Sequence, residues 1–250
     1  MIRIGVPGAT GAMGRAVQTI AADRDDVEVT LRSSRDEHEL DAVHPTNLAD
    51  ALAETPVDVF VDFTVPGASV DLVQTAADHG VGVVLGTTGF TAAQFDTLRE
   101  HALEIPLLHA PNFSRGIHTL HAVVRDAVER LPAADIEITE THHNRKRDAP
   151  SGTAVSLLET IESVRPDATR VHGREGDAPR EASEIGIHAR RAGTITGEHE
   201  VLLALADEEL RLTHRAESRD IFAAGALDAA IWLAEQASGW YSFDDALRDT

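Results

Sequence analysis

The chain predicts an α/β fold: a Rossmann-type doubly wound parallel sheet with a second α+β domain containing a mostly antiparallel sheet. Three observations predict it. In the first half, short apolar runs alternate with helical patterns, and parallel strands need such crossovers to be joined. The runs are apolar almost throughout, as strands buried on both faces are. After Asn112, strand-like segments begin to follow one another without helices between them, the mark of antiparallel neighbours.

Taken in order, Ile2–Pro7 reads as the first strand, followed by a glycine-rich turn and an apolar helix, Ala12–Ala22. Val27–Leu31 is a second strand, a short helix lies near Asn47–Ala53, and Val57–Phe63 is a third strand. Pro66–His79 is helical, with Val70, Val73, Ala76 and Ala77 on one stripe. Val81–Leu85 is a strand running into Gly86-Thr87-Thr88-Gly89, and Thr91 with Gln94 makes a capping box for a helix to about Glu104. Ile105–His109 closes the series. Beyond it come a helix over Gly116–Arg130, a strand over Ile136–Thr141, a helix opening at Ser151 and a loop-like stretch, Arg165–Glu181. Glu184–Arg190, His199–Ala206 and Glu209–Thr213 read as strands, and Ile221–Glu235 as an apolar helix returning to the first domain. The expected boundaries are 1–113 completed by 218–250, with 114–217 as the second domain.

Composition narrows the function. No apolar run approaches the roughly 20 residues of a membrane span. The N-terminus lacks a basic-then-apolar signal layout. With no cysteine, disulfides and thiolate chemistry are excluded, and the cytoplasm is the expected compartment. Asp and Glu number 42 against 22 Lys plus Arg, a net charge of −20. That balance argues against a nucleic-acid-binding face, which needs clustered cations. The basic residues are 21 arginines and one lysine, Lys146. Such an acidic, lysine-poor chain resembles proteins of concentrated salt, where screening lengths are short; an acidic protein from a GC-rich genome has the same bias.

The first strand ends in Gly8-Ala9-Thr10-Gly11-Ala12-Met13-Gly14. Glycines there let bare backbone N–H groups approach a pyrophosphate at the helix start, so the first domain is expected to bind a dinucleotide. A ribose with a free 2′-hydroxyl is usually held by an acidic residue ending the second strand. This chain has Leu31-Arg32-Ser33-Ser34-Arg35, with no carboxylate before Asp36. Arg32 and Arg35 suit a 2′-phosphate through charge-assisted hydrogen bonds; a solvated loop has the same composition.

The most specific segment is Glu140-Thr141-His142-His143-Asn144-Arg145-Lys146-Arg147-Asp148-Ala149-Pro150-Ser151-Gly152-Thr153-Ala154. Two imidazoles and an ammonium stand before a Ser-Gly-Thr helix start whose orphan N–H groups can take a carboxylate. Imidazole and ammonium can deliver protons. A chain that otherwise uses arginine keeps lysine here, and lysine, unlike arginine, readily gives up a proton. The set suits a small dianionic substrate.

This segment resembles the signature of 4-hydroxy-tetrahydrodipicolinate reductases. Further stretches resemble the family in the same order: Gly8–Gly14, Asp62-Phe63-Thr64-x-Pro66, Gly86–Phe90, Ala110–Ser114, Glu184–Ala189 with Arg191, Gly197-Glu198-His199 and Thr213–Ala216 with Ser218-Arg219. The resemblance implies an NADPH- or NADH-dependent reductase of lysine biosynthesis, with no metal. His142 would be the proton donor and Lys146 a second donor or electrostatic partner. His143, Ser151, Gly152 and Thr153 would bind substrate carboxylates, and Thr88 would sit where nicotinamide and substrate meet. Gly8, Ala9, Thr10, Gly11, Ala12 and Met13, with Gly86, Thr87 and Thr88, would line the cofactor. So would Ala110, Pro111, Asn112 and Phe113, with Arg219 reaching it from the returning segment. The second domain would bind substrate and assemble a homotetramer. Ala12 stands where the family often has Arg, and Ala192 where Gly is common. Another nicotinamide dehydrogenase acting on an aspartate-derived acid would keep the glycine turn without needing the His-His-x-x-Lys and Ser-Gly-Thr pairing. A fold that had lost its chemistry would not need the complete proton-donating set.

Overall fold

The computed structural model describes residues 1–36 and 40–248; His38 lies outside them. The chain divides into two compact units, Met1–Ser114 with Asp220–Thr250, and Arg115–Arg219.

The first unit is built on β1 (Ile2–Pro7), α1 (Ala12–Ala22), β2 (Val27–Ser33), α2 (Leu48–Glu54), β3 (Val59–Asp62), α3 (Pro66–His79), β4 (Gly82–Leu85), α4 (Ala92–His101) and β5 (Pro106–His109). Its strands form one sheet, in which β5-β4-β3-β1-β2 are all parallel. β3 is buried along its whole length because alternate residues face two cores. Val59 and Val61 join Val6, Val17, Leu227 and Leu233 on one side; Phe60 joins Leu72, Val73 and Leu98 on the other. The order of strands reverses at β1, so the crevice for a ligand opens beyond the carboxyl ends of β1 and β3. Thr91 caps α4 with the expected reciprocal bonds to Gln94.

The second unit contains α5 (Arg115–Arg130), β6 (Asp135–His142), α6 (Gly152–Glu162), β7 (Thr169–His172), β8 (Glu184–Arg191), β9 (Gly197–Ala204) and β10 (Glu209–Ala216), with sheet order β10-β9-β6-β8-β7. Ile117, Leu120, Val124 and Val128 form the helical stripe of α5, and with Leu157 and Ile161 of α6 they cover Ile136, Ile138, Ile187, Val201 and Leu203. The sheet is mixed. β9 runs antiparallel to β10 and β6, as its sequence pattern predicts, whereas β8 is parallel to β6 and to β7. The reason is α6, a crossover that carries the chain back before the next strands begin. β7 falls inside the stretch read as a loop; it is a short, mostly exposed edge strand, so no buried face marks it.

The returning helix, α7 (Asp220–Leu233), belongs to the first unit, as do β11 (Gly239–Tyr241) and α8 (Phe243–Arg248). β11 extends the parallel sheet beside β5. Gly225 lets α7 lie directly on the Phe113 carbonyl, which a Cβ would strike.

Candidate active site

In the first unit, the turn after β1 is shaped by its glycines. Gly8 has φ +64°, and a Cβ on it would come 2.8 Å from Thr64 Cγ2. A Cβ on Gly14 would collide with the Gly8 carbonyl and sit 2.9 Å from Ala9 Cα. α1 therefore starts hard against the turn, with Gly11 at its N-cap and no side-chain cap, leaving orphan N–H groups open. A cavity of about 790 Å³ lies beside them, walled by Gly8–Gly14 residues, Ser34–Asp36, His44 and Phe63–Val65. Bare backbone, helix dipole and volume together fit a dinucleotide.

The two arginines after β2 part company. Arg35 and Asp36 lie in the cavity wall. Arg32 instead donates Nε to Gln18 Oε1 at 2.8 Å, and Gln18 donates to the carbonyls of Ala9 (2.9 Å) and Gly14 (3.0 Å). Arg32 thus braces the glycine turn from behind. Thr10 and Ser34 hydroxyls meet at 2.8 Å, tying turn to loop.

Gly86, Thr87 and Thr88 follow β4, where Thr87 is buried and Thr88 exposed. Thr87 is anchored by a buried network in which Ser69 lies between it (2.9 Å) and Asp62 (2.5 Å). Desolvation pushes the Asp62 carboxyl up, against the bonds from Ser69 and Thr64. His109 donates Nε2 to the Thr87 carbonyl at 3.2 Å. Ala110 and Phe113 are buried, and Phe113 packs edge-on against Phe63 and Phe243. Phe113 is a core side chain, so of the Ala110–Phe113 stretch the exposed Pro111, the half-buried Asn112 and the backbone are what a ligand could meet.

In the second unit, β6 delivers Glu140 and His142 to the sheet end. Glu140 is fully buried. Its Oε2 accepts from His142 Nδ1 at 2.6 Å; Arg191 donates to both carboxylate oxygens at 2.8 Å, and Ser151 N donates at 3.0 Å. Burial alone would push this carboxyl up; the bonds from Arg191 and His142 outweigh it and hold it below the ordinary carboxylate range. Ser151 caps α6 by accepting from Ala154 N at 3.2 Å, and its hydroxyl also meets His199 Nε2 at 2.9 Å. Its hydroxyl is therefore engaged within the protein. The open position is Gly152, where a Cβ would meet nothing within 4 Å.

Around this core stand cations. Lys146 Nζ lies 3.0 Å from Asp148, and the hydrogen bond from Lys146 keeps the Asp148 carboxyl low. Arg219 donates Nη2 to His143 Nε2 at 3.3 Å, so the remaining proton of a neutral His143 sits on Nδ1, which is buried and unpartnered. Desolvation, then Arg219 and Arg145, push His143 down. The structure thus brings His142, His143, Lys146, Ser151 and Gly152 together and adds Arg219 to them. Glu140, Arg191 and His199 are the residues that sequence reasoning left without a role; their motifs were visible, but Arg191 reaches Glu140, and His199 reaches Ser151, from more than 40 residues away.

His199 packs edge-on against His142, ring centroids 5.1 Å apart. Burial, then the neighbouring His142, lowers its pKa from 6.5 to about 4. Unfolded chains bind this proton near pH 6.5 while the fold refuses it until about 4. Its contribution is therefore complete above pH 6.5 and is lost as pH falls through that window, about 3 kcal/mol in all. Urea melts across that range should show wild type losing stability more steeply than His199→Gln; parallel curves would contradict the linkage.

Among the described residues, no helix is long and apolar enough to cross a membrane, and no group of three His, Cys, Asp or Glu is placed to hold a metal ion.

Comparison with known proteins accords with both halves. Residues 2–113 match the family model described as dihydrodipicolinate reductase, N-terminus, and residues 116–247 the model for its C-terminus. The 4-hydroxy-tetrahydrodipicolinate reductase of Haloarcula marismortui is 50% identical over 99% of each chain. That of Natronomonas pharaonis is 49% identical over 97% of this chain and 98% of its own. Among solved structures, a dipicolinate-bound dihydrodipicolinate reductase from Paenisporosarcina sp. TG-14 superposes with TM-score 0.81 over 97% of each chain, at 26% identity. With the two family models matching residues 2–113 and 116–247 and about half the residues shared with curated relatives, the chain belongs to the dihydrodipicolinate reductase family.

Proposed function

We propose that this oxidoreductase converts 4-hydroxy-tetrahydrodipicolinate to tetrahydrodipicolinate with NADPH or NADH, in the diaminopimelate route to lysine. The observation that carries the reading is the cluster at the start of α6. There a carboxylate-backed imidazole, an ammonium and the N-terminal end of a helix converge. A substrate with two carboxylates satisfies all of them. One carboxylate accepts from the Gly152 and Thr153 backbone, where the helix dipole favours an anion. The other sits beside the His143 ring, with Arg219 and Lys146 balancing its charge. Arg219 accordingly serves the substrate rather than the cofactor.

The nicotinamide, when bound, supplies the hydride. The protein supplies the proton. His142 Nδ1 is committed to Glu140, so Nε2 delivers it, and Lys146 compensates the developing charge or relays a second proton. Water leaves the cyclic hydroxy-imine before the resulting unsaturated ring is reduced. Thr88, exposed after β4, is read as the contact at the reacting end. Homotetramer assembly and a cytoplasmic location complete the reading.

Pyridine-2,6-dicarboxylate tests the site. It should raise the apparent KM for substrate and leave kcat unchanged; failure to compete would mean that the Ser-Gly-Thr helix start does not take a carboxylate.

Cofactor choice follows from the loop after β2. Arg35 in the cavity wall can meet a 2′-phosphate, and neighbouring Asp36 can meet a 2′-hydroxyl, so both cofactors are accepted. Arg35→Ala should weaken NADPH by roughly 10–100-fold, the worth of a charged hydrogen bond, with little effect on NADH. Arg32→Ala should weaken both alike, because Arg32 braces the turn through Gln18. Titrations with each cofactor at low and high salt check this. A ratio moved by Arg32→Ala and untouched by Arg35→Ala would reverse the assignment.

A further inference from the structure

Outside the reacting groups, the second unit buries an ionised carboxylate with an unusually complete set of partners. Glu140 lies at 0% exposure. Its two oxygens take four bonds, two from Arg191, one from His142 Nδ1 and one from Ser151 N. No acceptor direction is left for a ligand, so Glu140 acts through its partners. Arg191 is itself tied to the loop by Nη2 donation to the Asp148 carbonyl at 2.6 Å. Burying an ion pair costs desolvation that its attraction seldom exceeds, so stability alone is a weak reason to keep one here.

We infer that Glu140, gripped by Arg191, is the positioning residue for His142: it holds Nδ1–H and fixes the ring, so that the proton the imidazolium gives up is the one on Nε2. This rests on the reading of His142 as proton donor. The two neighbouring imidazoles show why a carboxylate is needed. The His199 Nε2 meets the Ser151 hydroxyl at 2.9 Å, its Nδ1 has no partner, and burial keeps this ring neutral. His142 meets the carboxylate instead. Identical rings, packed edge-on, are thus given opposite tasks by one hydroxyl and one carboxylate. Nε2 of His142 faces Gly197, where a Cβ would stand 3.1 Å away, so the glycine keeps that nitrogen uncovered. The other charged or titratable groups of the cluster include Lys146 with Asp148 at 3.0 Å, His143, Arg145, Arg219 and His214. Glu140 is the carboxylate in direct contact with the His142 ring.

The test compares Glu140→Gln, Glu140→Asp, Arg191→Gln and His142→Gln, with circular dichroism and melting as fold controls. In Glu140→Gln, kcat should fall about 10-fold or more while the substrate KM changes little, and the alkaline limb of the kcat profile should move to lower pH. Arg191→Gln, which leaves the carboxylate without its guanidinium, should move that limb the opposite way. Glu140→Asp should recover part of kcat. A purely structural role predicts none of these opposed shifts. Proton NMR gives a readout independent of turnover. The wild type should show a strongly downfield Nδ1–H resonance that is missing in His142→Gln. The same resonance should be missing in Glu140→Gln. Its absence from wild type overturns the inference even if the variants do not fold. If His142→Gln is inactive while folded Glu140→Gln keeps kcat and its profile, the inference fails and the proton-donor reading stands. If His142→Gln turns over normally, the proton-donor reading fails instead, and the resonance alone decides whether Glu140 orients the ring.

Discussion

Replacing His142 by Gln is expected to lower kcat by about 100-fold or more, with the fold intact. Gln can still donate to Glu140 from a similar position, so the buried carboxylate keeps a partner; what is lost is a group able to release and regain a proton. General acid catalysis of this kind contributes roughly 10²–10⁴-fold. Lys146→Ala should cost a comparable factor. Lys146 is the chain's one lysine, is held 3.0 Å from Asp148, and stands in a loop otherwise supplied with arginine. Steady-state kinetics, with melting curves alongside, checks both. A folded Lys146→Ala enzyme with near-normal kcat would remove lysine from the mechanism.

The other large effect is expected at the glycine turn. Gly14→Val would drive a side chain into backbone, the Gly8 carbonyl and Ala9 Cα, neither of which can swing aside as a flexible side chain does. Either α1 lifts from the turn or the turn opens, and both destroy the array of N–H groups that faces the cavity. Overpacking of this kind costs on the order of 1–3 kcal/mol of stability. Cofactor affinity should fall more steeply, by about 100-fold or more, equivalent to roughly 2.7 kcal/mol of lost contacts. Gly67→Ala is the control: its Cβ would meet nothing within 4 Å, so that variant should bind and melt like wild type. Titration of cofactor fluorescence and thermal melts separate the two. A Gly14→Val protein that binds cofactor normally would show that the turn does not carry the pyrophosphate.

The parallel sheet was legible because strands buried on both faces leave continuous apolar runs, as Val59–Asp62 and Gly82–Leu85 do. β7 and β11 were not. The first is an exposed edge strand and the second three residues long, so neither leaves a periodic trace. That β8 lies parallel to β6 was also hidden, because an apolar pattern reports which face is buried but not which neighbour is paired. For the site, the contiguous segment from Glu140 to Ala154 revealed the chemistry, since His142, His143, Lys146 and the helix start need only local folding to converge. Arg191 and His199 arrive from β8 and β9, and their purpose exists only once those strands flank β6. Arg32 and Arg35 look equivalent in sequence. Only side-chain direction, with Arg32 turned to Gln18, distinguishes them. Ser151 and Phe113 were read as ligand contacts by position, whereas one is engaged by Ala154 and His199 and the other fills a core.

The most direct test is a coupled assay in which a synthase generates 4-hydroxy-tetrahydrodipicolinate in the cuvette and cofactor absorbance is followed. With purified enzyme, NADPH and NADH should each be oxidised only when the synthase and its substrates are present, in proportion to the product formed. His142→Gln should abolish nearly all of that signal. Cofactor oxidation that does not depend on the synthase product, or none with either cofactor from a folded wild-type enzyme, would contradict the assignment.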